Sequence, residues 1–142
     1  MIYFELVTLT GIVLKEKVFQ VSLPTPDGLI AIYKDHSPLV SVTTNGVISV
    51  RREPNHPDDM LEQYAINAGG VIEIANDTVR VLVDEADNGK DIDEKQAQAA
   101  YDHAKKLAAE AGDEESLEKA MNNLDRETVR LKLAELKRRK QR

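Results

Sequence analysis

The sequence has no cysteine and no tryptophan, and its 142 residues include only two Phe and four Tyr. Without thiols there are no disulfides and no thiolate chemistry, which fits a reducing compartment. With so few rings, a surface that stacks nucleic-acid bases has little to build on. No apolar run approaches the roughly 18 residues needed to span a bilayer. Met1 leads straight into strand-like residues with no basic, apolar or Arg/Ser-rich leader, so the expectation is a chain neither secreted nor imported through a cleaved presequence. There is no phosphate loop of the Gly-x-x-x-x-Gly-Lys-Ser/Thr type, no Gly-x-Ser-x-Gly elbow and no His-Glu-x-x-His. His36, His56 and His103 fall on different elements, and the plentiful carboxylates read as solvating charge. His56 beside Asp58 and Asp59 sits in a polar loop stiffened by Pro54 and Pro57, short of the three or four convergent ligands a metal needs. On residues alone an interaction protein outranks an enzyme.

Proline is also absent from the second part of the chain. All five Pro and five of the seven Gly lie within residues 1–86, which alternate apolar and polar residues. The remainder is dominated by Ala, Leu, Glu, Lys, Gln and Arg. A period of 2 that gives way once to a period near 3.6 predicts an α+β chain: an antiparallel β-sandwich over 1–86, then a linker and antiparallel two-helix hairpin over 87–142. Strands are expected at 3–9, 12–23, 29–33, 39–44, 47–52, 61–68, 71–75 and 78–84. Asn45-Gly46 reads as a type I′ hairpin turn, Asn76-Asp77 as a similar one, and Gly69-Gly70 as a turn between two strands. Asp84, Glu85 and Asp87 read as a boundary between strand and linker.

Asp91 with Glu94, or Asp93 with Gln96 in a second register, offers an N-cap for the first helix, and Gly112 offers it an αL stop. Asp113, Glu114 and Glu115 put acid at the start of the second helix, where the macrodipole favours it. At 1.5 Å per residue the helices would be about 28 and 40 Å long. Their facing stripes are Ala-rich: Ala97, Ala100, Ala104, Leu107, Ala108 and Ala111 against Leu117, Ala120, Met121, Leu124 and Leu131. Small side chains hold a hairpin modestly. Val129, Leu131, Leu133 and Leu136 widen the apolar surface beyond what a short partner helix covers. Periodicity leaves open both a static hairpin and one that opens and binds elsewhere.

The charge is polarised. From Arg130 to Arg142 seven basic residues face Glu135 alone, a net of +6, while the preceding 129 residues carry −12. An acidic body with a basic tip binds something negative at one end only.

Particular stretches carry more information than the periods. Val21-Ser22-Leu23-Pro24, Asp27-Gly28, Ile32-Tyr33 and His36-Ser37-Pro38-Leu39 are followed by residues 65–70, Ala-Ile-Asn-Ala-Gly-Gly, and residues 79–86, Val-Arg-Val-Leu-Val-Asp-Glu-Ala. In that order and spacing the chain resembles, over essentially its whole length, the ε subunit of F-type ATP synthases. Ala31, Asp35 and Ser37 depart from the usual Gly, Gly and Ala. The resemblance implies a non-catalytic central-stalk subunit on the cytoplasmic face of a bacterial cell membrane, or on a plastid thylakoid membrane, attached to the membrane only through the complex. Its implied partners are γ, the c-ring and, in an extended state, the α and β subunits. Asp27, Gly28 and Leu29 would face the c-ring, and His36, Pro38 and Leu39 would lie near γ. Lys137, Arg138 and Arg139 would meet acidic residues on β when the hairpin extends and blocks ATP hydrolysis. No resident cofactor is implied. Some bacterial relatives bind ATP at an Ile/Leu-Asp-x-x-Arg-Ala motif, here Ile92 to Ala97; Asp93 and Ala97 match it, and Gln96 replaces the Arg, so ATP enters only as a weak regulatory ligand. From another class, the alternative is a β-sandwich nucleic-acid module with a basic helical tail, against which the acidic body and scarce rings argue.

Overall fold

The computed structural model describes residues 1–140, apart from the side chains of Ala68 and Lys140, so Arg142 of the basic tail lies outside the described residues. Eight strands come first: β1 (Ile2–Thr8), β2 (Gly11–Val18), β3 (Gln20–Thr25), β4 (Gly28–Ile32), β5 (Leu39–Thr43), β6 (Gly46–Arg51), β7 (Glu62–Ala75) and β8 (Thr78–Asn88). A 3-10 turn, Gly89–Asp91, leads to α1 (Glu94–Glu110) and α2 (Glu114–Lys140). The expected β-sandwich followed by a helical hairpin is what forms.

The layers follow from the registers. β5, the second half of β7, the first half of β8, β1 and β2 make one layer; β4, β3, β6, the first half of β7 and the end of β8 make the other. All these pairs are antiparallel except β1 with β8, which run parallel from Tyr3↔Thr78 to Val7↔Leu82. Alternation does the sorting: Ile2, Phe4 and Leu6 of β1 and Val79, Val81 and Val83 of β8 point inward and are buried with Leu23, Ile48 and Ile72.

β7 and β8 pass through both layers. The change of layer occurs where the β7–β8 register slips between Asn67 and Gly70. Gly69 sits at φ 54°, and a Cβ on Gly70 would collide with the carbonyl oxygen of Leu82. The Gly pair expected as a turn is therefore a bulge inside one long strand. Asn45-Gly46 departs from expectation as well. β5 and β6 do not pair with each other; they pair with successive stretches of β7, Leu39↔Ile74 to Thr43↔Gly70 and then Gly46↔Ile66 to Val50↔Glu62. Neither Asn45 nor Gly46 has positive φ, so no type I′ turn forms there. Gly46 is wanted for space, since a Cβ would lie 3.0 Å from Pro24 Cβ. The left-handed pair is Asn76-Asp77, at φ 52° and 58°, between β7 and β8.

The predicted strand 12–23 breaks at Phe19, where the chain moves from one layer to the other. The Phe19 N–H donates to Arg51 O at 2.9 Å and its ring meets Tyr33 edge-on at 5.8 Å. β8 continues to Asn88, four residues past the predicted end, because beyond the bulge it still has residues 64–67 of β7 to pair with.

Replacing Gly70 with Ala is expected to destabilise the chain by about 1–3 kcal/mol, the usual range for forcing a group into filled space. Urea unfolding of the full chain measures it, and an unchanged midpoint would remove the bulge as the reason for glycine.

Candidate functional site

Two surfaces stand out: the seam where the hairpin lies on the sandwich, and the outer face of the β5-β7-β8-β1-β2 layer.

The hairpin's ends are set locally. The Asp93 carboxylate accepts the Lys95 N–H at 2.9 Å, making Asp93 the N-cap of α1; Asp91 falls in the preceding 3-10 turn instead. The α1 stop is also different from expectation. Ala111 is extended at φ −61°, ψ 125°, and Gly112 has no positive φ, so no αL cap forms. Asp113 accepts the Ser116 N–H at 2.7 Å at the head of α2, and that bond holds its carboxyl below the ordinary range.

Packing along the hairpin is uneven. Ala97 and Ala104 are buried, whereas Leu107, Leu117 and Met121 near the tip are each 43% exposed. Towards the other end, α2 lies between α1 and the sandwich. Leu133 (1% exposed) and Ala134 form one cluster with Ala97, Ile92 and Ala65 of β7, with Val47, Val129 and Leu131 against it. The apolar surface that is too wide for a partner helix is covered by the protein's own sheet. A fully buried Leu contributes about 1.5–3 kcal/mol, so Leu133 is the main anchor of a small contact.

Charge surrounds that anchor. Arg126 pairs with Glu85 at 3.3 Å and with Glu127 at 3.0 Å; Arg130 pairs with Asp87 at 3.3 Å. Arg138 reaches Glu94 at 2.9 Å, and Lys137 Nζ donates to Lys90 O at 3.1 Å. Glu127, 4% exposed, is the one buried charged side chain among the described residues. Burial alone would lower the Arg126 guanidinium, but its bond to Glu127 and the charge of Glu85 leave it raised. Partly exposed pairs of this kind are worth about 0–1 kcal/mol each. They adjust a position that Leu133 fixes. Sequence reading placed Glu85 and Asp87 at a boundary and did not single out Arg126 or Glu127; the i, i+4 spacing of Arg126 and Arg130 was the available signal.

Beside the seam, Glu62, Asn88, Gly89, Lys90, Leu133 and Lys137 line a cleft of about 230 Å³. Glu62 accepts from Arg52 Nη2 at 3.1 Å and from the Tyr64 hydroxyl at 3.3 Å. The bond from Arg52 holds the Glu62 carboxyl below its ordinary range, while burial and then the Glu62 charge push Tyr64 up to about 12. Among the described residues no three His, Asp or Glu side chains converge on one point as metal ligands would.

The outer face of the first layer carries a row of paired apolar side chains, with one register slip where it reaches β2, between Leu6 and Val7. Val42 pairs with Val71, Val71 with Leu82, Leu82 with Val7 and Val7 with Ile12, so the row crosses five strands. Val42, Val71, Leu82 and Ile12 are exposed. The next outward row, Val40, Glu73, Arg80, Glu5 and Lys15, is mostly charged, with Arg80 on Glu5 at 3.3 Å.

The predicted site residues fall into three places. Asp27 and Gly28 (φ 118°) turn β3 into β4, and Leu29 beside them is 72% exposed. His36, Pro38 and Leu39 lie on the segment entering β5. Asp35, at φ 65°, donates its N–H to Asp77 Oδ1 at 2.6 Å, and His36 Nδ1 lies 2.7 Å from Ser37 O. Lys137 and Arg138 lie along the seam, and Arg139 is exposed. Asp93 and Ala97 share one helix start, the first as cap and the second as core, and Gln96 between them is exposed.

Two measurements follow from this geometry. Leu133→Ala is expected to cost about 2–5 kcal/mol of hairpin docking, the range for such truncations, and to speed trypsin cleavage in α2 at least tenfold while the sandwich stays intact. A wild-type cleavage rate would remove Leu133 as anchor. Glu62, with its folded pKa depressed, contributes stability fully present above about pH 4.3 that is lost as pH falls through the folded value. The stability advantage of wild type over Glu62→Gln is therefore expected in full at pH 7 and to shrink as pH is lowered below about 4.3 in urea unfolding; an advantage constant with pH would contradict the assignment.

Comparison with known proteins gives the family. Residues 1–89 match the family profile described as ATP synthase, Delta/Epsilon chain, beta-sandwich domain, and residues 90–135 match ATP synthase, Delta/Epsilon chain, long alpha-helix domain. An ATP synthase epsilon chain of Herpetosiphon aurantiacus is 35% identical over 141 residues, 99% of this chain and 98% of its own. The fold is shared with a chain in the cryo-EM structure of the Euglena gracilis mitochondrial ATP synthase, OSCP/F1/c-ring in rotational state 1 (TM-score 0.78, 21% identity, 95% of this chain and 81% of that one). It is also shared with a chain from the Tetrahymena thermophila mitochondrial ATP synthase central stalk/cring (TM-score 0.60, 18% identity, 95% of each). With both domains matched in order and a full-length relative at 35% identity, the chain belongs to the epsilon-chain family of ATP synthases.

Proposed function

We propose that this chain is a non-catalytic central-stalk subunit of an F-type ATP synthase, coupling rotation of γ and the c-ring to ATP synthesis and braking ATP hydrolysis through its helical hairpin. The observation that carries the reading is the five-strand apolar row from Val42 to Ile12, an exposed face on a sandwich whose other layer is already occupied by the hairpin. An apolar face that crosses five strands suits a protein partner. In this reading γ covers the row and the adjoining His36, Pro38 and Leu39. The exposed β3–β4 tip, Asp27 to Leu29, meets the c-ring, through which the subunit is held at a membrane.

The brake reading is supported by how lightly the hairpin is fixed. Its tip is open, its anchor is small, and Lys137 and Arg138 are engaged in cis. Extended, α2 would carry these cations and Arg139 to acidic surface on the β subunits of the head. ATP has at most a weak regulatory part, since the Asp93 carboxylate already caps α1, Ala97 is buried and Gln96 brings no charge.

The test is ATP hydrolysis by a reconstituted α, β and γ head with the full chain and with a version ending at Asn88. The expected outcome is inhibition by the full chain only, relieved when Lys137, Arg138 and Arg139 are reversed to Glu. Equal hydrolysis with both versions bound to γ would remove the brake and leave coupling. Failure of both to bind γ would overturn the central-stalk reading.

A further inference from the structure

The charge pairs along the seam share a register. Taken in order along α2, Arg126 faces Glu85, Arg130 faces Asp87, Leu133 lies over Gly89 and Lys137 reaches Lys90 O. A Cβ on Gly89 would come within 3.3 Å of Leu133 Cδ2. Positions 126, 130, 133 and 137 form one face of a helix. Arg126 and Arg130, four residues apart, are separated by about 6 Å of helix rise, and Glu85 and Asp87, two residues apart on a strand, by about 6.7 Å. Two cations on a helix and two carboxylates on a strand therefore match in spacing when the two elements run in the same direction. Displacing α2 by one turn would leave a charge at each end without its partner.

The pairing is also incomplete. Both arginines lean on the buried Glu127, which fixes their direction, yet Arg130 Nε is buried without a hydrogen-bond partner and stands 3.9 Å from the Glu127 carboxylate. Docking therefore leaves one donor of Arg130 unserved that water would serve after release. Contacts of this kind determine position and are sensitive to competing ions.

We propose that Glu85 and Asp87 act as an internal stand-in for an acidic partner. Strand β8 occupies the Arg126–Arg130 face of α2 in register and releases it when salt, or a protein surface with carboxylates at the same spacing, competes. The partner half of this statement rests on the brake reading above. The latch half does not, and it is tested separately.

The experiment is hydrogen exchange of the α2 amides between residues 126 and 137 in the isolated full chain at low and high NaCl, with β1 amides as the check that the sandwich is folded. In wild type, raising NaCl from about 50 mM to 1 M screens the attraction and is expected to speed exchange several-fold. In Glu85→Arg/Asp87→Arg the attraction becomes repulsion, so exchange at low salt is expected to be about tenfold faster than wild type and to slow as salt rises. Glu85→Gln/Asp87→Gln, which keeps the shape, should show little salt dependence. The opposite salt response of the reversed variant is the result a merely structural role would not give. Wild-type exchange that ignores salt, or a Gln variant with the wild-type salt response, overturns the latch whatever happens in the head. Adding the reversed variant to the α, β and γ head is then expected to deepen inhibition of ATP hydrolysis. A latch confirmed by exchange but with no change in hydrolysis would count against the brake alone.

Discussion

The contact of Gly70 with the Leu82 carbonyl is the constraint from which both functional surfaces descend. Only a residue without Cβ lets β7 come so close to β8 there, and the resulting bulge moves both strands from one layer to the other. β7 then has two different jobs along its length. Its first half contributes Ala65 to the hairpin anchor, and its second half contributes Val71 to the exposed row. A straight β7 would leave both stretches in one sheet and the two surfaces would not face apart.

Electrostatics is layered on this framework in two places. Within the sandwich, Arg52 bridges Glu16 of β2 and Glu62 of β7, tying the layers across their edges. Along the seam the pairs are about as exposed as these and each is weak, and they satisfy part of the contrast in net charge between body and tail inside the chain. The basic tail is not simply a free tip. Arg130, Lys137 and Arg138 are spent on Asp87, a backbone carbonyl and Glu94.

The change of period near residue 88 made the division into strands and helices readable, because burial on a sheet and on a helix impose different repeats. Asn76-Asp77 was readable for a local reason: two consecutive residues that tolerate positive φ leave few other conformations. What could not be read was where a strand changes sheet. Phe19, Gly69-Gly70 and Asn45-Gly46 look alike in sequence, each a break in alternation. One is a crossing, one a bulge and one a junction along a single partner strand, and only long-range pairing distinguishes them. The helix caps were ambiguous for a similar reason, with Asp91 and Asp93 both suitable until the 3-10 turn fixed the entry. At the candidate surfaces, the basic residues near the end were visible by composition. Their carboxylate partners were visible only as charges, since nothing local states that Glu85 lies beside a residue 41 positions later.

Strand β8 has a mechanical consequence. Leu82, in the middle of the exposed row, and Glu85, the first carboxylate under α2, are separated by Val83 and Asp84 alone, about 10 Å of extended backbone. Val83 is buried and no glycine or loop intervenes in β8, and it is here that the strand passes from one layer to the other. The exposed row and the first charge pair under α2 are thus joined by two residues of one strand, so a shift of β8 on the outer face is felt directly at the Glu85–Arg126 pair.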